Sequence, residues 1–189
     1  HSLSSWGVKP SSSSLILAGI LTAGYGSVGM LLIGAGMHIV PVLGGTTLAS
    51  EKNASLMSFL WTLSVFILFI GSNNPEIFGV KVMPVAVALL TLSGIAVIVN
   101  LLLTAASRTK KMALPAWMIV IGLISAPLCI VVLCLSGTLD SGTGQWLAVR
   151  MSMGGFFFLF PAGVVLYAAS RGTGNPLWSR SLAAVAMMG

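Results

Sequence analysis

The sequence predicts an all-α, polytopic transmembrane helix bundle forming a single integral membrane domain over residues 1–189. Three observations carry this. The chain is 57% hydrophobic and only 6% charged, against about 25% charged in ordinary soluble domains. Its mean hydropathy is +1.05, the opposite of a disordered chain, which is poor in apolar residues and rich in charge. Finally, five stretches approach or exceed the ~20 apolar residues that cross ~30 Å of hydrocarbon.

The first span runs from about residue 14 to 43, long enough to tilt or protrude. The second covers 54–71 and is short, the third 80–106, the fourth 115–137 and the fifth 145–170. A sixth apolar segment opens at Pro176 and runs only to Gly189, so 176–189 reads as a stub or the first part of a longer helix. Each span must be helical, because a lone strand leaves its backbone groups unpaired in lipid. Gly44-Gly45-Thr46-Thr47, Gly71 to Pro75, Ser136 to Gly144, and Arg171 to Pro176 supply the connections. Pro115 and Pro176 suit first helical turns, where the missing N–H costs nothing; Pro41, Pro127 and Pro161 lie deeper and predict kinks. The chain opens on His1 with no charged n-region and cleavage site before the apolar sequence, so its start is processed, trimmed or incomplete.

Nine Lys/Arg face three Asp/Glu, a net charge of +6. Scattered among apolar runs, these cations cannot build a phosphate groove, so nucleic acid is not a partner. They set orientation instead. Lys52, then Arg108, Lys110 and Lys111, then Arg171 and Arg180 occupy alternate loops, while Glu76 and Asp140 mark the opposite ones. The positive-inside rule places the basic loops in the cytoplasm or mitochondrial matrix and the N-terminus outside. A multi-pass protein of a bacterial or archaeal cytoplasmic membrane, or of the mitochondrial inner membrane, follows.

Lipid gives helices no hydrophobic reason to associate, so close backbone approach must hold the bundle. Gly19, Ala23 and Ser27 recur every four residues on the first span and predict a protein-facing surface, extended by Gly34 and Gly36. Gly154 and Gly155 predict a second packing patch beside Phe156, Phe157 and Phe158. Polar groups within spans are the candidates for function. His38 reads as a hydrogen-bonded packing histidine, Asn100 and Ser93 as interhelical hydrogen-bonders, and Arg150 as a side chain that snorkels to the outer interface. Glu51 reads as a solvated loop residue.

Catalytic constellations are missing. The three acids fall in three loops, so none pairs for acid–base work. Gly172-Thr173-Gly174 lacks the Lys-Ser/Thr of a phosphate loop. Cys129 and Cys134 are five apart, about 140° around a helix, and cannot bridge within it. No CxxC or Cys/His cluster points to a metal site.

The order of several local motifs resembles one family. Gly36-Met37-His38-Ile39-Val40-Pro41-Val42, a short loop and Ser58-Phe59 are similar to the second and third spans of the heme–copper oxidase catalytic subunit (cytochrome c oxidase subunit I). Ser93-Gly94-Ile95 resembles its fourth span, Met112-Ala113-Leu114-Pro115-Ala116-Trp117 the entry to its fifth, and Gly154 to Gly163 its sixth. The resemblance covers about residues 14 to 189 and implies a core like helices 2–6 of that subunit. The metal-binding positions depart from it. The heme-ligand position reads Ala18, the copper-ligand position Ser152, the cross-linked tyrosine position Phe156, and the acid at the proton-channel mouth falls near Leu48. Transition metals need several convergent imidazoles, and the chain has two histidines.

The resemblance therefore implies an oxidase scaffold without catalytic residues, metals or cofactors of its own, compatible with a bound lipid or quinone. The expected role is a structural or accessory subunit of a respiratory or other redox (electron-transport) membrane complex, with other membrane subunits and lipids as partners. Two alternatives stay open: a fragment of a split oxidase whose metal ligands lie on another chain, and a small-solute transporter or channel.

Overall fold

The computed structural model describes residue 19 and residues 22–73, 76–77, 79–135 and 141–174. Ala18, the stub 176–189 and Arg180 lie outside the described residues. Five helices make up nearly all of it. α1 runs over Thr22–Gly44, a π-helical stretch Thr22–Val28 continuing as α-helix Gly29–Gly44. α2 is Glu51–Asn73, α3 Val82–Ala106 and α4 Leu114–Leu135. α5 comprises Ser141–Met151, a second π-helical stretch Ser152–Leu159, and Phe160–Thr173. Among the described residues, four helices are long and apolar enough to cross a membrane: Thr22–Gly44, Glu51–Ser72, Val82–Ala106 and Gly142–Thr173. The apolar stretch described for α4, Leu114–Cys129, is shorter. The chain is an all-α membrane bundle.

Its outside is as apolar as its inside. Leu31, Phe59, Phe66, Leu92, Phe158 and Val165 are all exposed, an arrangement that water penalises and acyl chains welcome. Between Arg150 and Arg171 lie twenty uncharged residues, about 30 Å of helix at 1.5 Å per residue, which matches the hydrocarbon core. The first turns of α5 therefore extend beyond that slab. The sequence placed the start of this helix at 145; the helix begins earlier because its first turns pack on α4, with Gly144 and Ala148 buried.

Elsewhere the boundaries move by a turn or less. α2 begins at Glu51, three residues before the apolar run, so Glu51 is an exposed first-turn residue, where a carboxylate meets the positive end of the helix dipole. The third span loses Val80 and Lys81 to a short β-hairpin that the sequence did not announce: β1 (Glu76–Ile77) pairs antiparallel with β2 (Val80–Lys81). Gly79 turns it with φ +76°, a conformation that favours glycine, and Glu76 faces Lys81 across the pair.

α1 is the hub and packs against all four other helices. The core around it joins Ile33 and Val40 of α1, Trp61 of α2, Val97 and Leu101 of α3, Ile119 and Leu123 of α4, and Phe156 and Phe160 of α5. Gly45 ends α1 in the left-handed conformation at φ +64°, letting the Thr46 N–H reach the Pro41 carbonyl at 3.1 Å.

Two loops then lock together. The Thr109 and Lys110 amides donate to the Gly44 carbonyl at 3.0 and 3.1 Å, and the Thr109 hydroxyl donates to the Gly45 carbonyl at 2.8 Å. Lys52, Arg108, Lys110 and Lys111 thus share one end of the bundle. Gly163 packs on Pro115 at the start of α4, which brings Arg171, two turns further on, to the same end.

The small-residue face expected on α1 is not where the helices meet. Gly19, Ala23 and Ser27 are exposed, and a Cβ added at Gly19 would meet nothing within 4 Å. The face turned inward carries Gly26, Gly29 and Gly36, whose added Cβ atoms would lie 3.1–3.2 Å from Val65, Trp61, and Ile119 and Phe160. Gly19, Ala23 and Ser27 share one side of the helix, but it is the side turned away from the other described helices. Gly34 also meets open space, and so does Gly154, whereas Gly155 abuts Ser125 of α4.

Candidate functional site

The polar and aromatic side chains inside the bundle gather at two levels. The first lies where the π-helical stretches of α1 and α5 meet. Widened turns of this kind are uncommon and recur at functional sites, which makes this level the candidate site. Here the Tyr25 hydroxyl and the Ser152 hydroxyl lie 3.2 Å apart. The Tyr25 carbonyl accepts the Trp61 indole N–H at 2.7 Å, which satisfies a polar atom that burial would otherwise strand.

Phe156 fills the centre and is fully buried. Its ring stacks on Tyr25 (centroids 5.9 Å, 18° between planes) and on Trp61 (6.3 Å, 30°). Edge-to-face pairs with Phe157 (5.0 Å, 86°) and Phe160 (5.9 Å, 80°) close the other sides. Beside this cluster, a space of about 10 Å³ is lined by Tyr25, Trp61, Leu90, Thr91, Gly94, Ala126 and Pro127. That is the size of one water at most.

Ser152 and Phe156, the two described positions that the family resemblance equates with copper ligand and tyrosine, are therefore spent on packing. One hydroxyl is turned to Tyr25, and the phenyl ring is sealed by four aromatics. Donors of this kind do not fit a metal centre, which needs imidazole, thiolate or carboxylate atoms converging on one point. Among the described residues, no group of three His, Cys, Asp or Glu side chains converges in this way.

The second level is a polar clasp toward the basic end. Asn100, 1% exposed, accepts from the Ser50 amide through Oδ1 at 3.1 Å and donates from Nδ2 to the Ser50 carbonyl at 2.9 Å. Thr104 accepts from the Ala49 amide at 3.0 Å and donates to the Asn100 carbonyl at 2.7 Å. Asn100 thus joins α3 to the loop before α2, not helix to helix. Replacing it with Leu strands the Ser50 amide, while the Ser50 carbonyl keeps the Ala54 N–H at 3.1 Å, and is expected to cost about 1–2 kcal/mol; thermal unfolding in detergent micelles, followed by tryptophan fluorescence, reads the loss.

The other expected polar residues are elsewhere. Ser93 is buried, but its hydroxyl donates to Leu90 of its own helix at 2.9 Å. His38 is exposed on the outside of α1, and among the described residues its imidazole has no hydrogen-bond partner, so the hydrogen-bonded packing role expected of it is not made within the described bundle. At about 100° per residue, position 38 lies on the opposite side of the helix from the buried Gly36 and Val40, which turns it outward. Arg150 is exposed at the edge of the uncharged run of α5, where it can reach the interface. Cys129 is buried and free.

Tyr25 and Trp61 escaped the sequence reading. Their signal was an amphipathic aromatic inside a span, with an apolar body and a polar tip that must find a partner when buried. Gly122 escaped as well, although Gly122 and Ser125 form a small pair one turn apart.

No protein-family model, curated protein or solved structure matches the chain.

Proposed function

We propose that the chain is a non-catalytic structural or accessory membrane subunit of a respiratory or other redox membrane complex, built on a scaffold like helices 2–6 of the heme–copper oxidase catalytic subunit. The observation that carries this reading is the plugged centre. Ser152 and Phe156, which the resemblance equates with metal-site positions, serve a Tyr25 hydrogen bond and a four-ring aromatic contact. Side chains spent in this way hold helices together. In this reading the chain crosses the membrane five times with its N-terminus outside. The basic loops then face the cytoplasm or the matrix.

The test is purification of the tagged chain from its native membranes in a mild detergent. Other membrane polypeptides are expected at fixed ratio, giving a particle well above the chain's own 19.5 kDa. Heme and copper, where present, stay with those partners when the subunits are separated. Stoichiometric heme or copper retained by the separated chain overturns the reading. So does a chain that purifies alone.

A further inference from the structure

The basic end of the bundle is more than an orientation signal. Lys52, Arg108, Lys110, Lys111 and Arg171 are all exposed there, with Glu51 the one acid on the same described loops and helix ends. The α3–α4 loop that carries three of these cations is held in a defined shape. Its backbone is pinned by the two amide bonds to Gly44 and by the Thr109 hydroxyl on Gly45. The Arg108 guanidinium is braced by one bond, Nη1 to the Ala105 carbonyl at 2.9 Å, which leaves its other donors free. Lys110 lays its stem along Gly45, where an added Cβ would meet its Cγ and Cδ at 3.1 Å. Thr46 and Ser107, 3.4 Å apart, add hydroxyls between the two loops.

We propose that Arg108, Lys110 and Lys111, on the platform formed by Gly44, Gly45 and Thr109, bind the phosphate of an anionic phospholipid in the leaflet on the basic side. The loop begins directly after the last apolar turn of α3, so its charges stand at headgroup depth without reaching. Fixed loop geometry lowers the entropy lost on binding, and a guanidinium flanked by two ammonium groups suits a singly charged phosphodiester. This proposal is independent of the redox-complex reading, because it rests only on the loop and its charges.

Native mass spectrometry of the full chain in detergent, titrated with phosphatidylglycerol or phosphatidylcholine, tests it. Wild type is expected to retain phosphatidylglycerol at least tenfold more tightly. R108Q/K110Q/K111Q is expected to lose that preference, at about fivefold per charge from the electrostatic attraction of one cation near an anionic surface. K110R/K111R keeps it, and so does K81Q at the opposite end. Should the triple variant fail to fold, wild type alone decides, since the preference must collapse as salt rises from 0.05 to 0.5 M. Equal retention of the two lipids by wild type overturns the proposal. Displacement by millimolar inorganic phosphate, or by an acidic peptide at lipid-free concentrations, also overturns it and assigns the loop to a soluble anion or a protein partner.

Discussion

Phe156→Ala is expected to destabilise the bundle by about 3 kcal/mol, the lower part of the range for emptying a buried aromatic site. The bilayer makes the transfer term small, since lipid is as apolar as the core. What disappears is contact: four aromatic pairs centred on one ring, each worth about 0.5–1.5 kcal/mol beyond area. The loss is read as a lowered unfolding temperature in micelles, together with a change in the emission of Trp61, whose ring stacks on Phe156. A variant that melts within a degree of wild type contradicts the assignment of Phe156 as the keystone of the π-helical level. Phe158→Ala, on the exposed side of the same helix, is the matched control and is expected to change little.

Gly122→Val is expected to be at least as damaging, about 3 kcal/mol, at the top of the overpacking range. A Cβ at position 122 would lie 2.7 Å from the Phe160 amide nitrogen and 2.9 Å from its Cα. Backbone cannot rotate out of the way as a side chain can, so α4 and α5 must separate. Gly163 repeats the arrangement one level nearer the basic end, with the Pro115 carbonyl 2.8 Å from its added Cβ. By contrast, Gly154→Val meets open space and should be tolerated. Paired melting curves of the two valine variants, with crosslinking between α4 and α5 as a second readout, separate the outcomes. Equal melting of the two would show that Gly122 is not a contact glycine.

These two sites also mark the limit of the sequence reading. Gly154 and Gly155 are adjacent and equally small, yet only Gly155 abuts another helix. A helix turns about 100° per residue, so neighbours point to different faces, and composition alone does not say which face has a partner. The stripe Gly19, Ala23 and Ser27 fails for a related reason. Its four-residue spacing gathers the three small residues on one face, but does not say whether that face meets another helix. His38 was placed correctly in the span but turned outward, because a single polar residue fixes no orientation. Asn100 fared better: one amide in an otherwise apolar helix had to be satisfied by something, although its partner, the Ser50 backbone, became visible only with the loop in place.

The sequence by itself determined that this chain is helical and membrane-embedded, where its uncharged runs lie, and which loops carry the cations. Those properties follow from transfer of residues one at a time between water and hydrocarbon, a term that depends on composition and order. Only the tertiary structure decided which glycines are contact points, that Tyr25, Trp61 and Phe156 fill the centre, and that two loops lock into one basic platform. Those outcomes depend on rotation about each helix axis and on which helices become neighbours. In a bundle apolar on every side, no hydrophobic stripe encodes either one.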